Sequence, residues 1–205
     1  MATQEERRAE TIGKLLEATI DSLSEVGYAA TSTYAVCKRA GVSQGALFNH
    51  FPKRIDLIVA ATEAICAQHL DRYATATAGL TELDEGQLRA VVEFIRASSR
   101  TREHHAWHEV MVAARTDEEL RERVAGSLSA FEQSLLRTAA AVFGTHDERL
   151  GVLTLSIMHM FDSEAVTTSV YPNPDIEEER IRWATDLLRT ALGEVESALP
   201  LADVV

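Results

Sequence analysis

Between Gly41 and Pro52 the chain has room for a helix of about two turns and no more. Residues 40–51 read AGVSQGALFNHF. Glycine adopts the left-handed backbone of a tight turn at little cost, so Gly41 ends whatever precedes it. Ser43 stands where a helix needs an N-terminal cap, and Pro52 closes the helix because it has no N–H to give. Upstream, Thr31, Ser32 and Thr33 offer caps for another short helix reaching Ala40. Two short helices joined at a glycine make a helix-turn-helix. Val36, Cys37, Ala40, Val42, Leu47 and Phe51 are the small or apolar positions that pack the pair against a longer first helix.

The rest of the chain also reads as helix. Ile12, Leu15, Leu16, Thr19, Leu23 and Val26 share one face, with Gly27 placed to end that helix. A long fourth helix is expected over 53–78, one after Asp84 with Leu88, Val91, Val92 and Ile95 inward, and a short one over 103–115. A longer helix from Asp117 carries Leu128, Phe131, Leu135 and Val142. The last two helices are separated by YPNPD, in which Asp175 is expected to cap the second. So short a connection makes antiparallel neighbours. No strand pattern and no repeat stands out, and the fold class is all-α.

The short helix buries too little to serve as core filler, and its free side is chemically loaded. Gln44, Gly45, Ala46, Phe48, Asn49 and His50 lie on or near that side. This suits a helix whose N-terminal end enters the major groove of duplex DNA. Ser43 caps the helix and reaches a phosphate, which the free N–H groups beside it also favour. Gly45 lets the duplex approach the backbone, Gln44 pairs with a base edge, and Ala46 meets a thymine methyl. Asn49 reads a base or a phosphate. His50, Lys53 and Arg54 suit phosphates at the rim, with a cap on its own helix end as the alternative for His50. Thr31, Ser32 and Thr33 form a further phosphate site, and Tyr34 reaches backbone or base.

Charge at first argues against such a partner, because the 205 residues carry a net −12. Residues 1–60 hold seven bases and seven acids, so the remainder carries the whole excess. All three lysines, Lys14, Lys38 and Lys53, fall in the first quarter. A neutral N-terminal unit still holds phosphate locally, while an acidic remainder is repelled by DNA and orients the molecule. The N-terminus shows no apolar secretory core, the longest apolar run is too short to span a bilayer, and two lone cysteines fit a reducing compartment. A cytoplasmic protein is expected, with no membrane partner. No nucleophile elbow, phosphate-binding loop or dinucleotide fingerprint is present, and no motif asks for a cofactor.

The run TSTYAVCKRAGVSQGALFNHFPKRIDLI resembles the TetR family of bacterial transcriptional regulators. The family's series of Thr, an aliphatic and a small residue, then A-G-V-S-x-G-x-L-[YF]-x-H-F, stands here in order. Phe48 replaces a frequent Tyr and loses its hydroxyl, and Cys37 replaces the usual Ala. Lys53 takes the place of a capping Ser or Asn, and Arg54 that of a Lys. The resemblance implies about nine helices, with residues 1–52 a three-helix DNA-binding domain and 53–205 a larger helical domain for ligand binding and dimerisation. The function it implies is a ligand-responsive regulator, a repressor released from a pseudo-palindromic operator by a small-molecule effector. It implies a homodimer through the last two helices, for which Leu153, Ile157, Ile181, Ala184, Leu188, Ala191 and Val195 are the candidates. Candidates for the ligand pocket are Phe94, Trp107, His108, Met111, Phe131, Met158 and Phe161. His104 and His108, one helical turn apart, raise a metal site that would need further ligands from His69, His159 or Asp162. Two other readings stand beside the regulator: a C-terminal enzyme carrying a helix-turn-helix, and a DNA-bound activator or scaffold without a ligand.

Overall fold

The computed structural model describes residues 3–80, 83–145 and 147–198. Among these it is all-helical, with nine helices: α1 Gln4–Ala30, α2 Thr33–Ala40, α3 Gln44–His50, α4 Arg54–Thr77, α5 Glu85–Ser98, α6 Arg102–Ala114, α7 Glu118–Phe143, α8 Glu148–Val170 and α9 Pro174–Ala198. Packing divides them into two compact units, Met1–His69 with Thr101–Phe131, and Leu70–Arg100 with Glu132–Val205. Helix α6 and the first part of α7 therefore pack with the N-terminal helices. Compactness and the expected functional division at residue 52 are different cuts of the chain.

Local chemistry sets the helix ends. Thr3 and Glu6 form a reciprocal capping box at the start of α1. Asp84 accepts from the Gln87 N–H at 2.8 Å and starts α5. Gly27 breaks α1 as expected, with φ 77° and ψ 172°, but the chain takes one more helical turn and ends at Ala30. Asn173, not Asp175, caps α9: its Oδ1 accepts from the Ile176 N–H, and Pro174 occupies the first helical position, where its missing N–H costs nothing.

The first unit holds two cores. In one, Leu15, Ala18, Val36, Cys37, Leu47, Phe51 and Leu57 join α1 to α4, with Ala40 and Val42 packed against them. In the other, α6 lies along α1 and α4 through Ile20, Leu23, Ile58, Ile65, Ala106 and Val110. Val26, expected inward, is exposed.

In the second unit α5, α8 and α9 surround a buried ion cluster. The Glu164 side chain has no exposed surface, and its carboxylate takes Arg96 and Arg100 at 2.6 Å and Arg180 at 3.1 Å. Burial raises this carboxyl's pKa, but the three guanidinium hydrogen bonds outweigh it and hold the group below its ordinary range.

The candidate dimerisation residues divide by burial. Ile157, Ile181, Ala184, Leu188 and Val195 are buried within the single chain, and Leu153 and Ala191 are half-buried. Most of the apolar stripes of α8 and α9 is covered within their own unit, while Leu153 and Ala191 keep part of their surface open. Exposed apolar surface on this pair comes instead from Val152, Val166, Val170, Tyr171, Ile176 and Trp183.

Candidate nucleic-acid interface

Helix α3 is held by one deep anchor and two stops. Leu47 has no exposed surface, while Gln44, Gly45, Phe48 and Asn49 around it face solvent. At its start the Ser43 hydroxyl accepts from the Ala46 N–H at 3.2 Å. At its end the Phe51 N–H donates to the Leu47 carbonyl at 2.8 Å and the Phe51 ring turns into the core. The preceding turn is a Schellman type: Gly41 sits at φ 66°, ψ 30°, and the Val42 N–H returns to the Cys37 carbonyl at 3.1 Å. Such a helix has no freedom to bury its polar face, so its N–H groups and Gln44 are presented outward.

Helix α2 supplies the flank. Ser32 caps it through the Ala35 N–H at 3.2 Å and is exposed, and Tyr34 is exposed beside it. A shallow groove runs between Tyr34, Cys37, Lys38, Gly41, Val42 and Gln44. Lys38, absent from the expected contacts, shares a groove with Gln44. Its signal was a base in the last turn of α2, next to the turn glycine. The Cys37 thiol beside it is buried, and burial raises its pKa, so it stays a packing group.

Several expected contact residues are placed differently. Thr31 is 1% exposed and its hydroxyl donates to the Gly27 carbonyl at 2.8 Å, so it serves the α1–α2 connection rather than a phosphate. Arg54 is turned inward. Its Nε donates to the Thr31 carbonyl at 2.6 Å, its Nη2 donates to the Tyr28 carbonyl, and its guanidinium lies 4.3 Å from the centre of the Tyr28 ring. Thr33, Ala46 and His50 are half-buried. His50 Nδ1 is buried without a hydrogen-bond partner among the described residues, so that atom does not cap the helix. Lys53 is exposed, 3.6 Å from Glu119, and its backbone N–H donates to Asp56, which settles how α4 begins.

The same junction ties α6 to the α1–α2 connection. Glu109 Oε2 accepts from the Tyr28 N–H at 3.3 Å, and the Tyr28 hydroxyl bonds to Asp117 at 3.1 Å. A Cβ on Gly27 would lie 2.8 Å from that Glu109 oxygen. Glycine is required there twice, for the positive φ and for the approach of the carboxylate. Arg102 of α6 adds ion pairs to Glu17 and Asp21 of α1, and Asp21 also meets Arg39 of α2.

The ligand candidates separate. Phe94 and Met158 line an apolar cavity in the second unit. Trp107 and Met111 pack against the α1–α4–α6 core of the first unit, where Phe131 lies against His69. His108 is half-buried on α6, and Phe161 is wholly buried. Burial and the neighbouring His104 and His108 lower the pKa of His105. Among the described residues no group of three or more His, Cys, Asp or Glu stands close enough to hold a metal ion, so His104 and His108 do not gather the further ligands such a site needs. Among them, too, no helix is long and apolar enough to cross a membrane.

Residues 15–61 match the sequence profile of bacterial regulatory proteins, tetR family. An HTH-type transcriptional regulator of Mycobacterium tuberculosis is 35% identical over 193 residues, covering 93% of this chain and 98% of its own. The HTH-type transcriptional regulator CymR of Pseudomonas putida is 40% identical over 83 residues, 40% of this chain and 41% of its own. Among solved structures, a Mesorhizobium loti protein described as a TetR-family transcriptional regulator superposes with a TM-score of 0.73 at 17% identity, over 90% of this chain and 98% of that one. With a helix-turn-helix whose outer face is bare, and likeness to a regulator over nearly the whole length, the chain belongs to the tetR family of bacterial regulatory proteins and is a transcriptional regulator.

Proposed function

We propose that this regulator is a cytoplasmic repressor that binds a pseudo-palindromic operator as a homodimer and leaves it when a small molecule occupies the helical part beyond residue 52. The observation that carries the DNA-reading half is α3 itself: a capped helix whose Gln44, Gly45, Phe48 and Asn49 are exposed around one buried leucine. Gln44 offers both amide groups to a base edge, Ser43, Ser32 and Lys53 hold phosphates, and Tyr34 and Lys38 extend the footprint. Thr31 and Arg54 act from behind, fixing the start of α2.

Two copies are needed because one short helix reads only a few base pairs. The exposed apolar residues of α8 and α9 support the dimer. Val152, His159 and Val166 step by seven residues on α8, as Ile176, Trp183 and Thr190 do on α9, and all six are exposed. A seven-residue step is the spacing of a helix–helix seam. Release follows from the α6 junction: a shift of α6 moves Glu109 against Gly27 and Tyr28 and so disturbs the base of α2. A 100-fold loss of operator affinity needs only about 2.7 kcal/mol of coupling.

Selection of binding sites from random duplex DNA tests this reading. The expected result is an inverted repeat with half-site centres one helical turn, about 34 Å, apart. A single asymmetric site, or no preferred sequence, overturns it. Trp183→Glu is expected to convert dimer to monomer in sedimentation and to remove operator binding while leaving the helical signal unchanged.

A further inference from the structure

The second unit contains a cavity of about 40 Å³ walled by α4, α5, α7 and α8. Its lining is nearly all carbon: Phe94, Ile95, Leu135, Val142, Phe143 and Met158 are its bulk, and no Asp, Glu, Lys, Arg or His is among the lining residues. The hydroxyls that reach it are committed. Thr77 donates to the Tyr73 carbonyl, Thr138 to the Ser134 carbonyl and Thr154 to the Leu150 carbonyl, at 2.7, 3.0 and 2.8 Å. The Tyr73 hydroxyl is bonded to Ser98, and burial holds its pKa above the ordinary phenol range. A carboxylate or phosphate entering this space finds no free donor to replace its water, and the charge of Asp162, felt at Tyr73, opposes it further.

The approach to the cavity has the same bias. A groove of about 390 Å³ between α7 and α8 shares Leu136, Ala139, Phe143, Gly151 and Leu155 with the cavity wall. Its rim carries Glu132, Asp147 and Glu148 against Arg137. Arg149 pairs with Asp147 at 2.7 Å, which leaves the mouth with one acid in excess and a mild bias against anions. At Gly151, which lines both, an added Cβ would lie 2.8 Å from a Leu136 methyl.

We propose that this cavity is the effector site and that its ligand is an uncharged, one-ring hydrocarbon-like molecule entering from the α7–α8 groove. Its regulatory meaning rests on the repressor reading above; its binding does not. A cavity of about 150 Å³ takes a benzene ring, so a ring enters only as Leu136, Leu155 and the adaptable Met158 give way. Occupancy therefore spreads α7 from α8. The driving force is removal of apolar ligand surface from water with no hydrogen bond to satisfy.

Toluene and benzoate, nearly equal in shape and different in charge, test the assignment on the full chain without DNA. By calorimetric titration and thermal melting, toluene binds and raises Tm, and benzoate binds at least tenfold more weakly. Ala139→Leu fills the cavity and lowers toluene affinity at least tenfold. Phe94→Ala enlarges it and reverses the order of toluene and naphthalene, which keeps the test decisive should the filled variant not fold. Benzoate binding as tightly as toluene, or toluene binding indifferent to both substitutions, overturns the proposal. Operator affinity measured separately with toluene then distinguishes the two readings. Toluene binding with unchanged operator affinity leaves the site standing and removes its effector role.

Discussion

The outer face of α3 and the cavity walled by α4, α5, α7 and α8, proposed above as the effector site, would solve recognition in opposite ways. On α3 the chain spends polar groups outward and keeps one leucine for anchorage. In the cavity every hydroxyl on the wall is occupied by the protein itself, and what remains is carbon. A duplex is read by groups that leave water for base edges and phosphates, so its reader must be exposed before binding. A small apolar ligand is read by absence of competing polarity, so its site is indistinguishable in composition from a core. The first kind of site tolerates changes in stability without losing its chemistry, and the second is made of the same side chains that hold the unit together.

That contrast can be broken from either side. The largest effect is expected at Glu164. Glu164→Ala leaves three arginines around a buried gap and should cost about 3–5 kcal/mol of stability, read by denaturant unfolding, with the operator-to-random affinity ratio unchanged for the folded fraction. The carboxyl's folded-state pKa is depressed. Its contribution is therefore complete above the unfolded value, about 4.3, and is lost as pH falls through the folded one. Wild type should lose more stability than Glu164→Gln between pH 5 and pH 3, and parallel acid limbs would remove this account. Next is Gln44→Ala, expected to cost about 1–3 kcal/mol of discrimination at particular base pairs with no change in Tm. An unchanged specific-to-random ratio would show that Gln44 does not read a base. Ser43→Ala removes the cap of α3 and should lower stability by about 1 kcal/mol, together with some affinity for every sequence. The smallest effect belongs to Lys53→Ala. It should weaken all duplexes alike and reduce the salt slope by about one; an unchanged slope would show that the ion pair with Glu119 keeps Lys53 from the phosphates.

The helix-turn-helix was legible because short helices are specified locally. Gly41, Ser43 and Pro52 carry their instructions in their own backbone preferences, and Val36, Cys37, Leu47 and Phe51 share one small core with α1 and α4. Arg54 and Thr31 were misplaced for the reverse reason. A basic residue beside a recognition helix looks like a phosphate contact until its distant partners, the carbonyls of residues 28 and 31, are known. The α8 and α9 stripes are ambiguous for the same reason. Periodicity tells which face is apolar, but not whether its cover is the same chain or a second copy, and Ile157, Ala184 and Leu188 found theirs at home. Among the bulky ligand candidates, Phe94 and Met158 line the cavity of the second unit, whereas Trp107 and Met111 pack against the core of the first. Bulk is common to both uses, and only the missing volume beside a side chain separates them.

Gly27 has a consequence for how such a protein can change. Any other residue at position 27 must surrender either the bend in α1 or the seat of the Glu109 carboxylate. An inherited substitution there would not weaken base recognition at α3, yet it would loosen the platform from which α3 is aimed. The single hydrogen of Gly27 is thus the point where the groups facing a base can be left intact while the frame that carries them is changed.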